Sequence, residues 1–233
     1  MGIKRKGRGI MDYSFIAEYA PLYLEAALLT IKIAACGIVG AFVVGIVCCL
    51  IRELRIPFFS QLVQVYLELS RNTPLLVQLF FLYFGLPKVG LVLSSEACGI
   101  IGLIFLGGSY MAEGFRTGID NVPKIQREVA YSLGMTRLQA FRKVILPQAV
   151  ATSVPVFCAN IIFLIKETSV FSAVALADLM YVTKDLIGLY YKTDEALFML
   201  VVSYLVILLP ISLVSSWIER RVRYAGYGNT GSL

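Results

Sequence analysis

The sequence predicts an all-α membrane protein with about five transmembrane helices, and three properties support this class. Of the 233 residues, 58% are hydrophobic and only 15% are charged, whereas a soluble domain has about 45–50% apolar and about 25% charged residues. The mean hydropathy is +0.79. The apolar residues form long runs, and a helix needs about 20 of them to cross a bilayer core. These properties exclude a soluble globular domain.

Each predicted span is an apolar run, and two of the runs carry a further signal. The first contains Gly37, Ala41 and Gly45 at four-residue spacing, and such small residues let a second helix approach closely. The second is interrupted at residues 71–74, because Pro74 removes a helical hydrogen bond there. We predict the five spans at residues 26–51, 57–86, 97–115, 149–165 and 196–217.

The spans belong to one predicted domain, because no internal repeat or low-complexity linker divides the chain. We expect a transmembrane domain at residues 22–219 that includes a long inner loop at residues 117–147. Residues 1–21 are expected to form an N-terminal tail, and residues 220–233 a C-terminal tail.

Basic residues mark one side of the predicted bilayer. They follow the first, third and fifth spans, and the positive-inside rule assigns that side to the cytoplasm. The N-terminus then lies outside, and residues 87–96 and 178–195 are outer loops. The four basic residues within residues 1–9 conflict with this orientation, so we expect Met11 to be the natural start and residues 1–10 to be an upstream extension. The basic residues on the inner side are Arg52, Arg55, Arg116, Lys124, Arg127, Arg137, Arg142, Lys143, Arg220, Arg221 and Arg223.

The chain lacks residues that several kinds of chemistry require. It contains no histidine, which is the commonest general base and metal ligand. Its five cysteines lie in apolar runs without CxxC spacing, a pattern typical of small buried hydrophobic residues. It also has no GxxxxGK[ST] motif for a P-loop. We therefore expect no catalytic residue, no metal and no cofactor in this chain.

The inner loop contains a compact segment, EVAYSLGMTRLQAFRKVILP, at residues 128–147. Residues 128–133 predict a short helix that Gly134 ends, since glycine adopts the backbone angles of a helix terminus. Thr136 is a suitable N-cap for a second short helix that runs to about Val144. The second helix is predicted to have an apolar face of Leu138, Phe141 and Ile145, and Pro147 is predicted to begin the fourth span.

The spacing of six residues in this segment resembles the EAA loop of ABC importer permeases. The pattern is Glu, one residue, Ala, three residues, Gly, nine residues, an aliphatic residue, one residue and Leu-Pro. The resemblance implies a type I ABC importer permease in a bacterial cytoplasmic membrane, in which this loop is the coupling helix that docks on an ATPase subunit. ATP and Mg would then be bound by that subunit. The six residues are Glu128, Ala130, Gly134, Val144, Leu146 and Pro147.

A second resemblance concerns the interrupted span, LELSRNTPLLVQLFFLYFGLP, at residues 67–87. It is similar to the corresponding span of polar amino-acid permeases, except that Asn72 replaces a glycine. Asparagine also tolerates left-handed backbone angles, which would preserve a local break. Residues 165–170 and 219–229 resemble further segments of that subfamily. The matching residues of the interrupted span are Glu68, Arg71, Thr73, Pro74 and Gln78.

The resemblance and the charges together predict a site for a zwitterionic cargo. Ionisable residues inside spans are costly and are therefore functional candidates. Arg71 and Lys166 are suited to hold a carboxylate, and Glu167 is suited to hold an ammonium group. Glu68 and Thr73 belong to the same candidate site. The alternative is that these charged residues lie near the interface or pair with one another for packing alone.

Asn160 is the candidate for selecting the cargo side chain. It precedes Glu167 by seven residues and so shares its helix face, and in the family this position faces the bound side chain. Arginine-type permeases carry an acid there, whereas an amide hydrogen-bonds a neutral polar group. This position favours a neutral amino acid such as glutamine over a cationic one, with acidic amino acids or cystine also open. The alternative is an asparagine that packs helices together.

The leading interpretation is therefore a permease subunit of an ATP-driven amino-acid importer. Its expected partners are ATPase subunits, an extracytoplasmic solute-binding protein or domain, a second permease chain, the amino acid and membrane lipid, but no nucleic acid. One alternative is a secondary transporter or channel that works alone. Others are an intramembrane enzyme, which no residue pattern supports, and an ABC permease for methionine, an osmolyte or an oxyanion.

Overall fold

The computed structural model describes residues 11–54 and 56–226. The expectation that residues 1–10 are an upstream extension lies outside the described residues. All regular structure within the described part is helical, which confirms the predicted fold class. The α-helices are α1 (Tyr13–Glu53), α2 (Pro57–Asn72), α3 (Leu75–Phe80), α4 (Ser95–Asp120), α5 (Lys124–Ser132), α6 (Arg137–Ala140), α7 (Leu146–Glu167), α8 (Leu179–Tyr190) and α9 (Thr193–Gly226).

Within the described residues, four helical segments are long and apolar enough to cross a membrane. They correspond to the first, third, fourth and fifth predicted spans. The second predicted span consists instead of α2 and α3, and its apolar part, Leu75–Val89, is shorter. The four segments are Tyr13–Glu53, Ser95–Asp120, Arg137–Val174 and Thr193–Val222.

The small residues of α1 pack directly against α4, as predicted from their spacing. A Cβ atom added to Gly37 would lie 2.6 Å from the Cβ of Leu103. One added to Gly45 would lie 2.6 Å from the Cβ of Met111. The two backbones approach so closely that a larger residue at either glycine would force the helices apart. This seam is the most extensive contact between two helices in the described part of the chain.

The outer stretch that was predicted to be a loop contains a helix, so that part of the prediction was wrong. The Asp178 side chain caps α8 by accepting a hydrogen bond from the Tyr181 N–H at 2.9 Å. Leu179, Val182 and Leu186 are buried at helical spacing. Charged residues are present in this stretch, but its apolar residues recur at intervals of three and four, which is the pattern of an amphipathic helix.

The beginning of α1 is attached to this outer layer, and it extends through residues 13–21, which were expected to form a tail. The Lys192 Nζ donates to Asp12 Oδ2 at 2.8 Å, and this hydrogen bond holds the pKa of the Asp12 carboxyl well below its usual range. The Tyr23 hydroxyl lies 2.9 Å from the Thr183 hydroxyl. These contacts join α1, α8 and the start of α9 on the side predicted to be external.

On the other side, α5 and α6 form a hairpin whose turn follows the sequence prediction. Gly134 has a φ of +76°, a left-handed conformation that glycine adopts without steric cost. Thr136 caps α6 in a capping box, in which its hydroxyl accepts from the Gln139 N–H at 3.3 Å and the Gln139 side chain accepts from the Thr136 N–H at 2.9 Å. We name residues 124–145 the inner hairpin.

The second short helix was predicted to end before the fourth span, and this prediction was wrong. A π-helical turn, Phe141–Ile145, joins α6 to α7, so that Arg137–Val174 is one continuous segment. Pro147 has no N–H and crowds the carbonyl one turn before it, and the wider π turn accommodates both effects. The predicted apolar face is only partly covered. Phe141 and Ile145 are buried, whereas 59% of Leu138 is exposed.

Candidate functional site

The interruption of the second span is an extended kink in the backbone between α2 and α3. Thr73 has φ −115° and ψ 130°, and Pro74 has φ −60° and ψ 143°. Asn72 is still helical, so the left-handed conformation expected from its sequence is not used. The kink arises because Pro74 both lacks an N–H and disfavours a helical conformation in the residue before it. We name residues 71–74 the break.

Side chains bind the backbone groups that the break leaves without helical partners. The Gln78 Nε2 donates to the carbonyls of Ser70 at 3.1 Å and Thr73 at 3.0 Å, and it also donates to the Thr73 hydroxyl at 3.0 Å. The Thr73 hydroxyl donates to the Leu69 carbonyl at 2.7 Å. Non-helical backbone at membrane depth requires such partners. Gln78, which the sequence singled out only as a motif match, is therefore the main support of the break.

Two adjoining cavities open beside the break. One has a volume of about 350 Å³, and the other about 290 Å³. Arg71, Asn72 and Tyr110 line both of them. The larger cavity is also lined by Thr73, Pro74, Leu75, Leu76, Leu106, Phe163, Glu167 and Val170, and the smaller one by Leu67 and Glu68.

The structure brings four of the six predicted cargo residues to these cavities. Arg71 lines both, Thr73 and Glu167 line the larger one, and Glu68 lines the smaller one. The Glu68 carboxylate accepts hydrogen bonds from Gln64 at 2.8 Å and from Asn72 at 3.2 Å. The larger cavity thus has a cation from α2 and an acid from α7 in its wall.

The other two predicted cargo residues lie outside both cavities. The Asn160 Nδ2 donates to the Tyr110 carbonyl at 3.1 Å, and this bond joins α7 to α4. In the single chain Asn160 therefore packs helices together, which was the alternative interpretation of this residue. Lys166 is an exposed neighbour of Glu167 and lines neither cavity.

Two further residues of the cavity walls, and one residue that contacts Arg71, were not assigned to the site from the sequence. Tyr110 and Phe163 form an aromatic pair with ring centroids 5.1 Å apart. Glu113 lies on α4, with its Oε2 3.5 Å from the Arg71 Nη1. An acidic residue within the third span was a visible signal for Glu113, whereas the aromatic pair depends on how α4 meets α7.

The six residues of the predicted coupling motif have different exposures within the inner hairpin and its junction with α7. Ala130 is buried, and Glu128 and Pro147 are exposed. Gly134 makes the turn, while Val144 and Leu146 are half-buried. The hairpin also leaves large apolar side chains uncovered in the single chain. They are Ile125, Val129, Tyr131, Leu133 and Leu138.

The hairpin is joined to the transmembrane helices by buried apolar residues and an ion pair. Phe141 and Ile145 pack against Ile119 of α4. The Arg127 Nη1 lies 3.5 Å from the Glu53 Oε1 at the end of α1. A cavity of about 280 Å³ at this junction is lined by Cys49, Arg52, Glu53, Ala112, Arg116, Ile119, Asp120 and Arg127.

Comparison with known protein families and curated proteins gives consistent matches. The family model described as binding-protein-dependent transport system inner membrane component matches residues 41–224. A probable amino-acid ABC transporter permease protein of Vibrio harveyi is 31% identical, over 92% of this chain and 97% of that protein. The glutamine transport system permease protein of Escherichia coli is 30% identical, over 91% of this chain and 98% of that protein.

Solved structures of similar shape agree with these sequence matches. An amino acid ABC transporter crystallised with histidines has a TM-score of 0.86 and 30% identity, covering 91% of this chain and 100% of that chain. An inward-facing methionine ABC transporter has a TM-score of 0.71 and 19% identity, covering 88% of this chain and 98% of that chain. The fold is that of type I ABC importer permeases.

Proposed function

The chain belongs to the family of binding-protein-dependent transport system inner membrane components, and we propose that it moves a neutral polar amino acid past the break. It is the permease subunit of an ABC importer and a multi-pass protein of the inner membrane. Its role is transport, and the family implies partnership with an ATPase and a binding protein.

One observation carries the proposal: charged groups of opposite sign line a single cavity beside the non-helical backbone. Arg71 is suited to bind the α-carboxylate of an amino acid, and Glu167 is suited to bind its α-ammonium group. The break makes this arrangement possible, because broken helices form cargo sites where backbone and charges face a cavity. Every amino acid has both α-groups, so this pair recognises the class of cargo.

The remaining wall of the larger cavity favours a neutral side chain. Leu106, Phe163 and Val170 are apolar, and Asn72 and Thr73 supply neutral polar groups. Among the described lining residues of this cavity, Arg71 and Glu167 are the charged ones, and both are assigned to the α-groups. A glutamine-like cargo satisfies this wall, and the similarity to glutamine permeases supports it. Asn160 contributes indirectly, by binding the backbone of Tyr110.

The inner hairpin is proposed to couple this path to ATP hydrolysis. Its uncovered apolar side chains and its Gly134 turn suit a surface that inserts into a soluble partner. In this assignment Glu128, Ala130, Gly134, Val144, Leu146 and Pro147 belong to the surface that docks on the ATPase, which binds ATP and Mg. The positive-inside rule places the hairpin and the C-terminus in the cytoplasm and the N-terminus outside.

The transporter is proposed to contain two permease chains. The helical segment Leu75–Val89 contributes Leu75 and Leu76 to the wall of the larger cavity and exposes Phe80, Phe81 and Phe84. A second copy or a related permease chain would close this side, while lipid covers the outward faces of α1 and α9. The solute-binding protein delivers the amino acid from the external side.

The proposal is tested with the permease and its ATPase reconstituted in vesicles without the binding protein. Glutamine is expected to stimulate ATP hydrolysis, and Arg71→Gln and Glu167→Gln should each raise the half-saturating concentration about ten- to a hundredfold. Lys166→Gln is the matched control, because it removes a neighbouring charge outside the cavity. Equal responses from all three variants would refute the assignment, and transport without ATP would identify a transporter that works alone.

A further inference from the structure

Glu113 lies between two arginines, and one of them, Arg71, lines both cargo cavities. Its Oε2 lies 3.5 Å from the Arg71 Nη1, and its Oε1 lies 3.9 Å from the Arg116 Nη1. The Nε of Arg116 lies 3.5 Å from the Asp120 Oδ2. Arg71, Glu113, Arg116 and Asp120 thus form a ladder of alternating charge from the break toward the inner end of α4.

The contact between Arg71 and Glu113 is loose. Charge-assisted hydrogen bonds between nitrogen and oxygen are about 2.7–2.9 Å long, shorter than the 3.5 Å of this pair. The Arg71 side chain is 44% exposed and the Glu113 side chain 35% exposed, so neither is locked in a packed interior. A second carboxylate that reaches the guanidinium with both oxygens at closer range would displace Glu113.

We propose that Glu113 is the internal counter-ion of Arg71 and competes with the α-carboxylate of the cargo. Glu113 holds the guanidinium when the cavity is empty and transfers to Arg116 when the cargo binds. The inference rests on the proposed function, in which Arg71 binds that carboxylate. It makes Glu113 a positioning residue that sets the strength of cargo binding.

Glu68 is the other acid near Arg71, but its position does not suit this role. Glu68 and Arg71 are both on α2, and the Glu68 carboxylate accepts from Gln64 and Asn72 on the same helix. Glu113 comes from a different helix and has an arginine near each of its two oxygens. When cargo takes Arg71, Glu113 therefore keeps a partner, and no carboxylate is left without a cation.

The ladder also provides a physical connection to the inner hairpin. Arg116 and Arg127 of α5 both line the cavity at the junction of the inner hairpin with the transmembrane helices. Arg127 is also paired with Glu53. When Glu113 moves toward Arg116, it competes with Asp120 for the Arg116 guanidinium at this cavity. Occupation of the cargo site is thereby communicated to the junction where the hairpin meets α1 and α4.

The experiment compares glutamine with its α-amide, which lacks the carboxylate, as stimulators of ATP hydrolysis in the reconstituted permease and ATPase. An exposed ion pair contributes about 0.2–1 kcal/mol, so Glu113→Gln should lower the half-saturating concentration of glutamine up to about fivefold. The concentration needed for the α-amide should not change. A purely structural role would alter both stimulators alike.

Glu96→Gln is the matched control, because it removes a different ion pair of the same helix, between Lys32 and Glu96 at 2.8 Å. It should leave the ratio of the two half-saturating concentrations unchanged. If Glu113→Gln does not assemble, Glu113→Asp keeps the charge, withdraws it from Arg71 and should change the ratio in the same direction. An unchanged ratio in the assembled Glu113 variant overturns the inference.

The Arg71→Gln variant distinguishes a failure of the proposed cargo site from a failure of the counter-ion inference. If it loses the preference for glutamine over the α-amide while Glu113→Gln does not change that preference, only the counter-ion inference fails. If Arg71→Gln responds like the wild type, the proposed cargo site fails and the inference with it. A wild-type transporter that glutamine does not stimulate would also overturn both.

Discussion

The break and the inner hairpin are both interruptions of helical structure, but they are held in place by different means. At the break, Gln78 and the hydroxyl of Thr73 bind the freed carbonyls, and Ser70 binds the Phe105 carbonyl of α4 at 2.8 Å. The hairpin turn depends on Gly134 and on the capping box of Thr136 with Gln139. The break is held by bonds that cross it from α3 to α2 and by a bond to α4, whereas the capping-box bonds that hold the turn lie within residues 134–139.

This difference matches the role proposed for each region. The break lies beside cavities with charged walls and must keep its shape while a zwitterionic cargo passes. The hairpin turn has open space around it, since a Cβ added at Gly134 would meet no atom of the described residues within 4 Å. Its surface is therefore free for a partner. A variant at the break should disturb folding and the path, whereas a variant at the turn should disturb association.

The largest effect is expected for Gln78→Leu, which removes the three hydrogen bonds that support the break. The loss should be about 2 kcal/mol, from about 0.6 kcal/mol for each hydrogen bond inside a membrane protein. Thermal unfolding in detergent measures this destabilisation. Gln148→Leu is the control, because its side chain makes one bond, to the Val144 carbonyl. Equal melting temperatures for both variants would contradict the assigned role of Gln78.

Gly134→Leu should have the next largest effect, and the effect should appear in association rather than in folding. A residue other than glycine in the left-handed conformation costs about 1–2 kcal/mol, which corresponds to about a five- to thirtyfold weaker association with the ATPase. Affinity capture of the ATPase measures this. Gly188→Leu is the control, since Gly188 also has open space around it but no left-handed backbone. Normal capture by Gly134→Leu would refute the docking role.

Thr136→Ala should weaken association with the ATPase by a smaller amount. Loss of an N-cap costs about 1 kcal/mol, and the effect is confined to the four-residue helix α6. The melting temperature of the transmembrane part should not change. Thr136→Ser keeps the capping hydroxyl and should bind the ATPase normally. If the Ala and Ser variants bind equally well, the capping box does not contribute to docking.

The smallest effect on cargo preference is expected for Asn160→Asp. The Asn160 amide binds the Tyr110 carbonyl, and aspartate cannot donate this hydrogen bond, so a loss of about 1 kcal/mol of stability follows. The responses to glutamate and to arginine, each relative to glutamine, should change less than about twofold. Residue 160 does not touch the cargo side chain in this assignment, so it supplies none of the discrimination that a direct contact gives. A tenfold gain for arginine would instead place Asn160 against the cargo side chain.

Several features of this protein were determined by short stretches of sequence. The apolar runs identified the spans, Pro74 located the break, and Gly134 with Thr136 located the hairpin turn. Each depends on backbone preferences or on residues within one helical turn, so the neighbouring sequence contains the necessary information. The motif spacing was also local, and the family it indicated is the family to which the chain belongs.

Other features were decided only by the way the helices pack. The pairing of Arg71 with Glu113 joins α2 to α4, and the bond from Asn160 to the Tyr110 carbonyl joins α7 to α4. The sequence offered several charged partners for Arg71 and two interpretations of Asn160. Selecting among them requires the relative rotation and depth of the helices, which depend on close packing such as that of Gly37 and Gly45 against α4. Residues distant in sequence meet only after that packing brings their faces together.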